Sequence, residues 1–293
     1  MRRSLRISNY ITDQACTIAP SDSIDRAINL MEERGIQHLI AAVDGRPVGV
    51  ISDRDILIST GWMLSVERNE TKWNSHATNM SPKRVEQIMS RPVHVIDVSD
   101  DVREAAKLMT DRKVSAAPVV AAERIVGIIT DTDLLGWLED LAVNGSATAK
   151  FLAAEVRTLM SVPVITVEPK GSLDEIVDIF RRFHVRHVPV AIRKELLGIV
   201  SDRDVRRALG WSSVRDLQAD ATARVAVARM PMNAAEIMQG NVETIAPSST
   251  LGESVRRMLD RRIHSLPVIE RDELVGMITQ TDFVRAIASA PLL

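Results

Sequence analysis

Residues 49–55 read GVISDRD, and residues 198–204 repeat this segment as GIVSDRD, 149 positions later. Two further copies, GIITDTD at 127–133 and GMITQTD at 276–282, each follow 78 residues after the first two. The correspondence between the two halves needs no insertion or deletion. Self-similarity at a fixed spacing indicates repeated structural units. The chain is therefore a tandem duplication of a pair, and it contains four repeats.

Each repeat has an amphipathic helix ahead of this segment. Its apolar residues recur at positions i, i+3, i+4 and i+7, which lie on one face of a helix. In chain order they are Ile24, Ala27, Ile28 and Met31; Val102, Ala105, Ala106 and Met109; Leu173, Ile176, Val177 and Phe180; and Leu251, Ser254, Val255 and Met258. Hydroxyl residues just ahead of them are candidate helix caps, namely Ser21, Ser99, Ser172 and Ser248.

A β-hairpin is predicted after each of these helices. Two short apolar runs flank a turn that contains charged or glycine residues. The predicted turn pairs are Asp44-Gly45, Glu123-Arg124, Arg193-Lys194 and Arg271-Asp272. The Ser, Thr and Asp residues that end the second run are typical of a helix start. The fold class is therefore α/β (α+β), with four β-α-β-β-α repeats.

The repeats are expected to pair into two domains. A single repeat of roughly 50 residues buries too little apolar surface to be stable alone. The predicted domains are residues 1–145, with repeats at about 8–61 and 86–140, and residues 146–293, with repeats at about 157–210 and 235–290. Residues 64–84 and 212–233 link the repeats within each half.

Composition excludes several classes of protein. The 293 residues include 37 basic and 39 acidic ones, a net charge of −2, and only 3% aromatic residues. This balance disfavours nucleic-acid binding, which needs positive charge and stacking surfaces. A single cysteine, Cys16, forms no intramolecular disulfide and favours a reducing compartment. No apolar run is long enough to cross a membrane and no secretory signal is evident, so a cytoplasmic location is expected.

The fourfold G-h-h-[ST]-x-x-D segment resembles the cystathionine-β-synthase (CBS) domain family, whose domains pair into Bateman modules. The resemblance covers nearly the whole chain. It implies two CBS-pair modules that pack with pseudo-twofold symmetry. Members of this family bind different adenosine-containing ligands in clefts between the paired domains, and some bind none. The resemblance also implies self-association, with a homodimer as one expected assembly.

The last residue of each segment is an aspartate that suits a nucleoside. A carboxylate accepts hydrogen bonds from two adjacent ribose hydroxyls. The ribose-binding candidates are Asp55, Asp133, Asp204 and Asp282. Capping of the next helix would explain the hydroxyl residue three positions earlier, but it does not obviously require the carboxylate as well. Ribose binding is therefore favoured over capping alone.

Phosphate groups need hydrogen-bond donors, and a helix start supplies backbone N–H groups with a favourable dipole. The hydroxyl residues predicted at these starts are Ser52, Thr130, Ser201 and Thr279. Arg54 and Arg203 occur only in the first and third repeats and add a cationic fork for further phosphates. For both arginines, a solvated surface position is the alternative.

The resemblance to the CBS family implies two further sets of contacts. Residues before the Pro-Val strands align with phosphate contacts of nucleotide-binding relatives, and here they are Arg186, His187 and His264. The resemblance places adenine near the first strand of each repeat, at Thr17-Ile18, Val95-Ile96, Thr166-Val167 and Thr244-Ile245. On this interpretation the third repeat is the best-equipped phosphate site and the second is the poorest.

No catalytic residue is assigned. The sequence has no nucleophile elbow, P-loop, HExxH motif or paired cysteines. The histidines of His184-Val-Arg-His187 have no third ligand nearby in sequence, so no metal and no required cofactor is predicted. A motif that occurs four times favours binding, because an active site needs different residues that converge once.

These observations predict a non-catalytic regulatory protein that senses an adenine nucleotide (AMP, ADP or ATP). The nucleotide would shift the arrangement of the two modules and so act on a separate, unidentified effector protein. Two alternatives stay open: a ligand-free assembly or scaffold protein, and a module for another adenosyl ligand such as NAD or S-adenosylmethionine.

Overall fold

The structure is a computed structural model, and it describes residues 6–13, 15–59, 83–141, 146–209 and 233–289. The predicted linkers 64–84 and 212–233 lie almost wholly outside these residues. In the described residues each repeat has the predicted order of helix, hairpin and second helix. The α/β fold built from four β-α-β-β-α repeats is confirmed.

The strands are short and come mostly in hairpin pairs. They are β1 Thr12–Asp13, β2 Thr17–Ile18, β3 His38–Val43, β4 Arg46–Ser52, β5 Ile96–Asp97, β6 Ala116–Ala121, β7 Arg124–Thr130, β8 His187–Ile192, β9 Glu195–Ser201, β10 Ser265–Glu270 and β11 Glu273–Thr279. The four hairpins are β3-β4, β6-β7, β8-β9 and β10-β11, all antiparallel. Both central turn residues have positive φ in each hairpin, the geometry that matches strand twist. The second turn is Ala122-Glu123 and not Glu123-Arg124, because β7 already begins at Arg124.

The helices are α1 Ile24–Arg34, α2 at 53–59, α3 Val102–Arg112, α4 Asp131–Asp140, α5 Ala147–Ala153, α6 Leu173–Phe183, α7 Asp202–Leu209, α8 Ala234–Ile237, α9 Leu251–Arg261 and α10 Gln280–Ser289. The predicted apolar faces of α1, α3, α6 and α9 lie against the core. Ser254, the polar exception on α9, satisfies its hydroxyl by donating to the Leu251 carbonyl oxygen at 2.6 Å.

The caps of these four helices correct the sequence prediction at three places. The residues whose side chains accept a first-turn N–H are Ser23, Asp101, Ser172 and Thr250. Only Ser172 was expected. Each helix begins at its first apolar residue, so the cap is the residue immediately before it. Ser21, Ser99 and Ser248 lie two positions too early for this role.

Within each half, each repeat's hairpin contacts the N-terminal segment of the other repeat. β1 of the first repeat pairs with β7 of the second, and Val50 forms a bridge with Ser90. In the second half, Ile199 bridges Gln239 and Ser161 bridges Met277. We call the first and second repeats module 1 and the third and fourth repeats module 2.

The largest hydrophobic core of the described residues is shared by the two modules. The largest cluster of buried residues combines the second and fourth repeats, including Trp137 and Phe283, where α10 packs against α3 and α4. The first and third repeats have separate clusters, and Leu57 of α2 reaches across to join the core of the third. Among the described helices, none combines the length and apolarity that a bilayer crossing requires.

Candidate ligand-binding site

Each predicted ribose-binding aspartate accepts hydrogen bonds from the Ser or Thr that precedes the helix after its hairpin, and at Asp55, Asp133 and Asp204 a returning bond from the aspartate N–H completes a capping box. Oδ2 of the aspartate accepts the backbone N–H of the Ser or Thr three residues earlier, at 2.7 Å for Asp55 and 2.8 Å for Asp133, Asp204 and Asp282. The same oxygen accepts the hydroxyl of that residue at 2.5–2.8 Å. Both side chains therefore take part at the helix start, so capping accounts for the carboxylate as well as for the hydroxyl, and ribose binding stays a prediction.

The four hydroxyls predicted to contact phosphate are engaged in these hydrogen bonds. Those of Ser52, Thr130, Ser201 and Thr279 donate to the carboxylates. A hydroxyl has a single proton to donate. In this arrangement none of the four donates to a phosphate, so that predicted contact requires the box to open.

The second carboxylate oxygen, Oδ1, distinguishes the two modules. In module 2, Asp204 Oδ1 accepts from Gln239 Nε2 at 2.9 Å, and Asp282 Oδ1 accepts from Ser161 Oγ at 3.1 Å. In module 1, Oδ1 of Asp55 and of Asp133 has no hydrogen-bond partner among the residues that the structure describes. Burial raises the pKa of both module 1 carboxyl groups, and the bonds from Ser52 and Thr130 oppose that shift.

A close approach between repeats brings the N-terminal segments to the carboxylates. A Cβ at Gly198 would lie 2.6 Å from Met238 Sδ and 2.9 Å from the Gln239 carbonyl oxygen. A Cβ at Gly49 would lie 2.6 Å from Met89 Sδ, and one at Gly276 would lie 2.5 Å from Met160 Sδ. The glycine that opens each G-h-h-[ST]-x-x-D segment thus makes room for the paired repeat.

Gln239 and Ser161 are not among the predicted site residues, because each belongs to a different repeat from the carboxylate that it contacts. A signal for them existed, because Met-Ser or Met-Gln recurs at 89–90, 160–161 and 238–239. This recurrence indicates a contact to a carboxylate only when it is known which repeat packs against which aspartate.

The phosphate candidates Arg186, His187 and His264 meet His38 and Ser115 in one place, and we call these five residues the central cluster. Arg186 Nη2 donates to Ser115 Oγ at 2.6 Å, and His38 Nε2 lies 3.1 Å from the same oxygen. The rings of His187 and His264 meet edge to face with centroids 6.1 Å apart. All four repeats contribute to the cluster.

Burial keeps the histidines of the central cluster neutral at ordinary pH. It lowers the pKa of His38 to about 3, with the Arg186 charge acting in the same direction, and the pKa of His187 to about 4. The pKa of His264 is lowered too, again mainly by burial. Neutral rings each present one N–H donor and one acceptor.

Three aspartates that the sequence interpretation overlooked balance the charge of Arg186. Asp53, Asp131 and Asp202 are the first residues of their helices. Burial opposes the charged form of Arg186, but the carboxylates of Asp202, Asp131 and Asp53 outweigh it and raise its pKa. Burial, with Asp202 nearby, raises the pKa of Asp53 to about 6, although Asp53 also pairs with Arg206. Aspartate at this position in three of the four segments was the available signal.

Arg54 and Arg203 have different surroundings although they occupy equivalent positions. Arg54 Nη2 donates to the Phe180 carbonyl oxygen at 2.7 Å, which joins the first repeat to the third. Arg203 is exposed. The side chain of Arg203 is thus in solvent, as the alternative to phosphate binding expected. Arg54 instead uses one of its donors in the contact between modules.

The predicted adenine contacts are only partly accessible. Ile18, Ile96, Val167 and Ile245 are buried in the hydrophobic cores. Ile18 also faces the cavity that Thr17 lines, so the adenine assignment of these four residues stays a prediction. Val95, Thr17 and Thr166 are exposed and Thr244 is partly exposed. Thr17 lines a cavity of about 430 Å³ with Arg26 and Ile125, but neither Asp55 nor Asp133 lines it.

Comparison with known proteins identifies the repeats. The model of the CBS domain matches residues 7–59, 85–140, 156–210 and 234–289. Protein MJ1225 of Methanocaldococcus jannaschii is 25% identical over 280 residues, which cover 93% of this chain and 95% of that protein. Its crystal structure, described as that of a proposed archaeal homologue of γ-AMPK, has a TM-score of 0.80 at 22% identity and covers 97% of this chain and 100% of that one. An uncharacterized conserved protein from Pyrococcus horikoshii has a TM-score of 0.62 at 21% identity and covers 96% of this chain and 99% of its own.

Proposed function

Because the chain belongs to the CBS domain family, we propose that it is a non-catalytic regulatory protein that binds an adenine nucleotide, AMP, ADP or ATP, in clefts between paired repeats. The observation that carries the proposal is that Oδ1 of Asp55 and of Asp133 has no hydrogen-bond partner in the described part of the chain, while a capping box fixes the orientation of each carboxylate. A free carboxylate oxygen on a rigid element suits the two hydroxyls of a ribose.

The central cluster is proposed as the phosphate site. Arg186 supplies a fixed charge, and the neutral His187 and His264 supply N–H donors. An anion bound there would compete with Asp53, Asp131 and Asp202 for Arg186, so binding would redistribute charge among all four repeats. Since the cluster spans both modules, occupancy would favour one of their relative arrangements. The output would be altered contact with a separate effector protein in the cytoplasm.

Thermal unfolding of the full chain tests the proposal. A ligand at 100 times its dissociation constant stabilises the folded state by about 2.7 kcal/mol. At roughly 2–4 °C per kcal/mol, the expected rise in Tm is several degrees. AMP, ADP, ATP, NAD and S-adenosylmethionine should be compared at equal concentration. A rise with NAD or S-adenosylmethionine alone would assign another adenosyl ligand, and no rise with any of them would contradict ligand binding.

Asparagine variants separate ribose binding from helix capping. In Asp55→Asn with Asp133→Asn, the amide oxygen still accepts the cap bonds, but the charge that strengthens bonds to a ribose is lost. We expect these variants to unfold close to the wild-type temperature and to lose most of the ligand-induced rise. A full rise in the double variant would show that these carboxylates do not hold the ligand.

A scaffold without ligand is the second candidate, and the capping boxes favour it. All four aspartates stabilise their own helix starts, a role worth about 1 kcal/mol each without any ligand. On this alternative the chain serves association, as a homodimer or with another protein. Its signature is an assembly, measured by light scattering, whose mass and stability are the same with and without nucleotide.

A further inference from the structure

We infer that the two modules have different roles in ligand binding: module 1 takes the nucleoside, whereas the side chains of module 2 already occupy the positions that a ribose would use. This inference rests on the proposed function. It identifies Gln239 and Arg207 as the residues that withhold the site at Asp204, and Ser161 and Arg285 as those that withhold the site at Asp282.

Counting acceptor positions shows the difference. An ionised carboxylate offers about four positions to hydrogen-bond donors, and the two hydroxyls of a ribose need two of them. At Asp204, two positions are filled by the backbone N–H and hydroxyl of Ser201, and a third by Gln239 Nε2 at 2.9 Å. Arg207 Nη1 lies 3.6 Å from the same Oδ1. Fewer than two positions remain for a ribose.

The site at Asp282 is filled in the same way by different residues. Two positions are taken by Thr279, and Ser161 donates its hydroxyl to Oδ1 at 3.1 Å. Arg285 Nη1 lies 3.6 Å from Oδ1. Each module 2 carboxylate therefore has one neutral donor from the paired repeat and one arginine from the next turn of its own helix.

The duplication supplies the matched comparison in module 1. At the 149-residue offset, Gln239 and Arg207 correspond to Ser90 and Ile58, while Ser161 and Arg285 correspond to Thr12 and Gly136. Ile58 and Gly136 have no side-chain donor. Ser90 and Thr12 make no hydrogen bond to Asp55 or Asp133 among the described residues. As far as the described residues go, two acceptor positions therefore stay open on each module 1 carboxylate.

Burial follows the same division. Asp204 and Asp282 are 8% and 5% exposed, whereas Asp55 and Asp133 are more accessible. A ribose that bound in module 2 would first have to displace Gln239 or Ser161, and the displaced donor would then need a new partner. Because of this cost, we expect the ligand to fill module 1 at a lower concentration than module 2.

Exchange of residues between the modules tests the inference. In the double variant Gln239→Ser with Arg207→Ile, Asp204 is given the same neighbouring residue types that Asp55 has in module 1. Titration calorimetry of the full chain with AMP should then show one additional site, or one site tightened about tenfold, the effect of one charged hydrogen bond. The reciprocal pair, Ser90→Gln with Ile58→Arg, should weaken one site by a similar factor.

Controls make each outcome decisive. Circular dichroism and Tm without ligand verify that both double variants are folded. If the variant that carries Arg207→Ile does not fold, the single variant Gln239→Ser replaces it in the titration. Unchanged binding constants in both exchanges, with AMP still bound by the wild type, would overturn the inference alone. Absence of AMP binding in the wild type and in every variant would overturn the proposed function together with it.

Discussion

Arg54 of the first repeat donates a 2.7 Å hydrogen bond to the backbone carbonyl of Phe180 in the third. Symmetry between the modules would pair Arg203 with Met31, which stands 149 positions before Phe180, yet Arg203 is exposed. One arginine of an equivalent pair has become a connection between modules, and the other is left facing solvent. The polar contact between the first and third repeats is therefore not symmetric.

This asymmetry predicts different costs for two matched substitutions. Arg54→Ala removes a charged donor from a partly buried carbonyl and should lower the free energy of unfolding by about 1–3 kcal/mol. Arg203→Ala changes an exposed side chain and should stay within about 0.5 kcal/mol of the wild type. Urea denaturation without nucleotide measures both. Equal losses would mean that the Phe180 contact contributes nothing specific.

The glycines beside the carboxylates give a second matched pair. Gly198→Ala should destabilise by about 1–3 kcal/mol, because its Cβ would meet both Met238 Sδ and the fixed Gln239 carbonyl oxygen. Gly49→Ala should cost less, since its nearest contacts are all in the flexible Met89 side chain. Chemical denaturation ranks the two, and the reverse order would refute the close-approach explanation.

The pKa of His38 predicts a pH dependence of stability. Because burial lowers this pKa from 6.5 to about 3, below pH 6.5 the unfolded chain takes up a proton that the folded chain does not. This group thus stabilises the fold above pH 6.5, and the contribution is lost as the pH falls. Relative to His38→Gln, the wild type should lose about 1.4 kcal/mol between pH 7.5 and pH 5.5. No such relative change is expected between pH 7.5 and pH 9, and a flat difference across the whole range would contradict the burial of a neutral ring.

Trp137 tests the shared core of the second and fourth repeats. Its side chain is fully buried, and its indole Nε1 has no hydrogen-bond partner among the described residues. Trp137→Phe removes that unpaired donor and keeps most of the volume, so we expect a loss below about 1.5 kcal/mol. Trp137→Ala should cost about 3–5 kcal/mol through the cavity it leaves. Thermal unfolding of both variants checks the order, and similar losses would show that the site relaxes around the missing ring.

The sequence was sufficient for the features that lie within one repeat. Spacing at i, i+3, i+4 and i+7 identified the buried faces of four helices, and the segment at 49–55 with its copies located the hairpins and the following helices. These features depend on neighbours in the chain, so local periodicity reports them. The error at Ser21 was also local, since the cap belongs to the residue directly before the first apolar position.

Features that depend on contact between repeats were not accessible in the same way. The bond from Gln239 to Asp204 joins residues 35 positions apart, and the bond from Arg54 to Phe180 spans 126. No periodicity within one repeat reports which side chain from another repeat will face a given carboxylate. Ser52 is a different case, because the carboxylate that accepts its hydroxyl proton, Asp55, lies in the same repeat but was assigned to a ribose.

The common interior of the second and fourth repeats makes the two halves interdependent. Trp137 and Phe283 come from different halves and are buried in the same hydrophobic cluster. A chain cut between residues 141 and 146 would therefore yield two fragments, each with an exposed hydrophobic surface complementary to that of the other. Such fragments are expected to recombine when mixed. Substitutions in the clefts of one half would then leave the association of the two halves intact, because the shared core lies elsewhere.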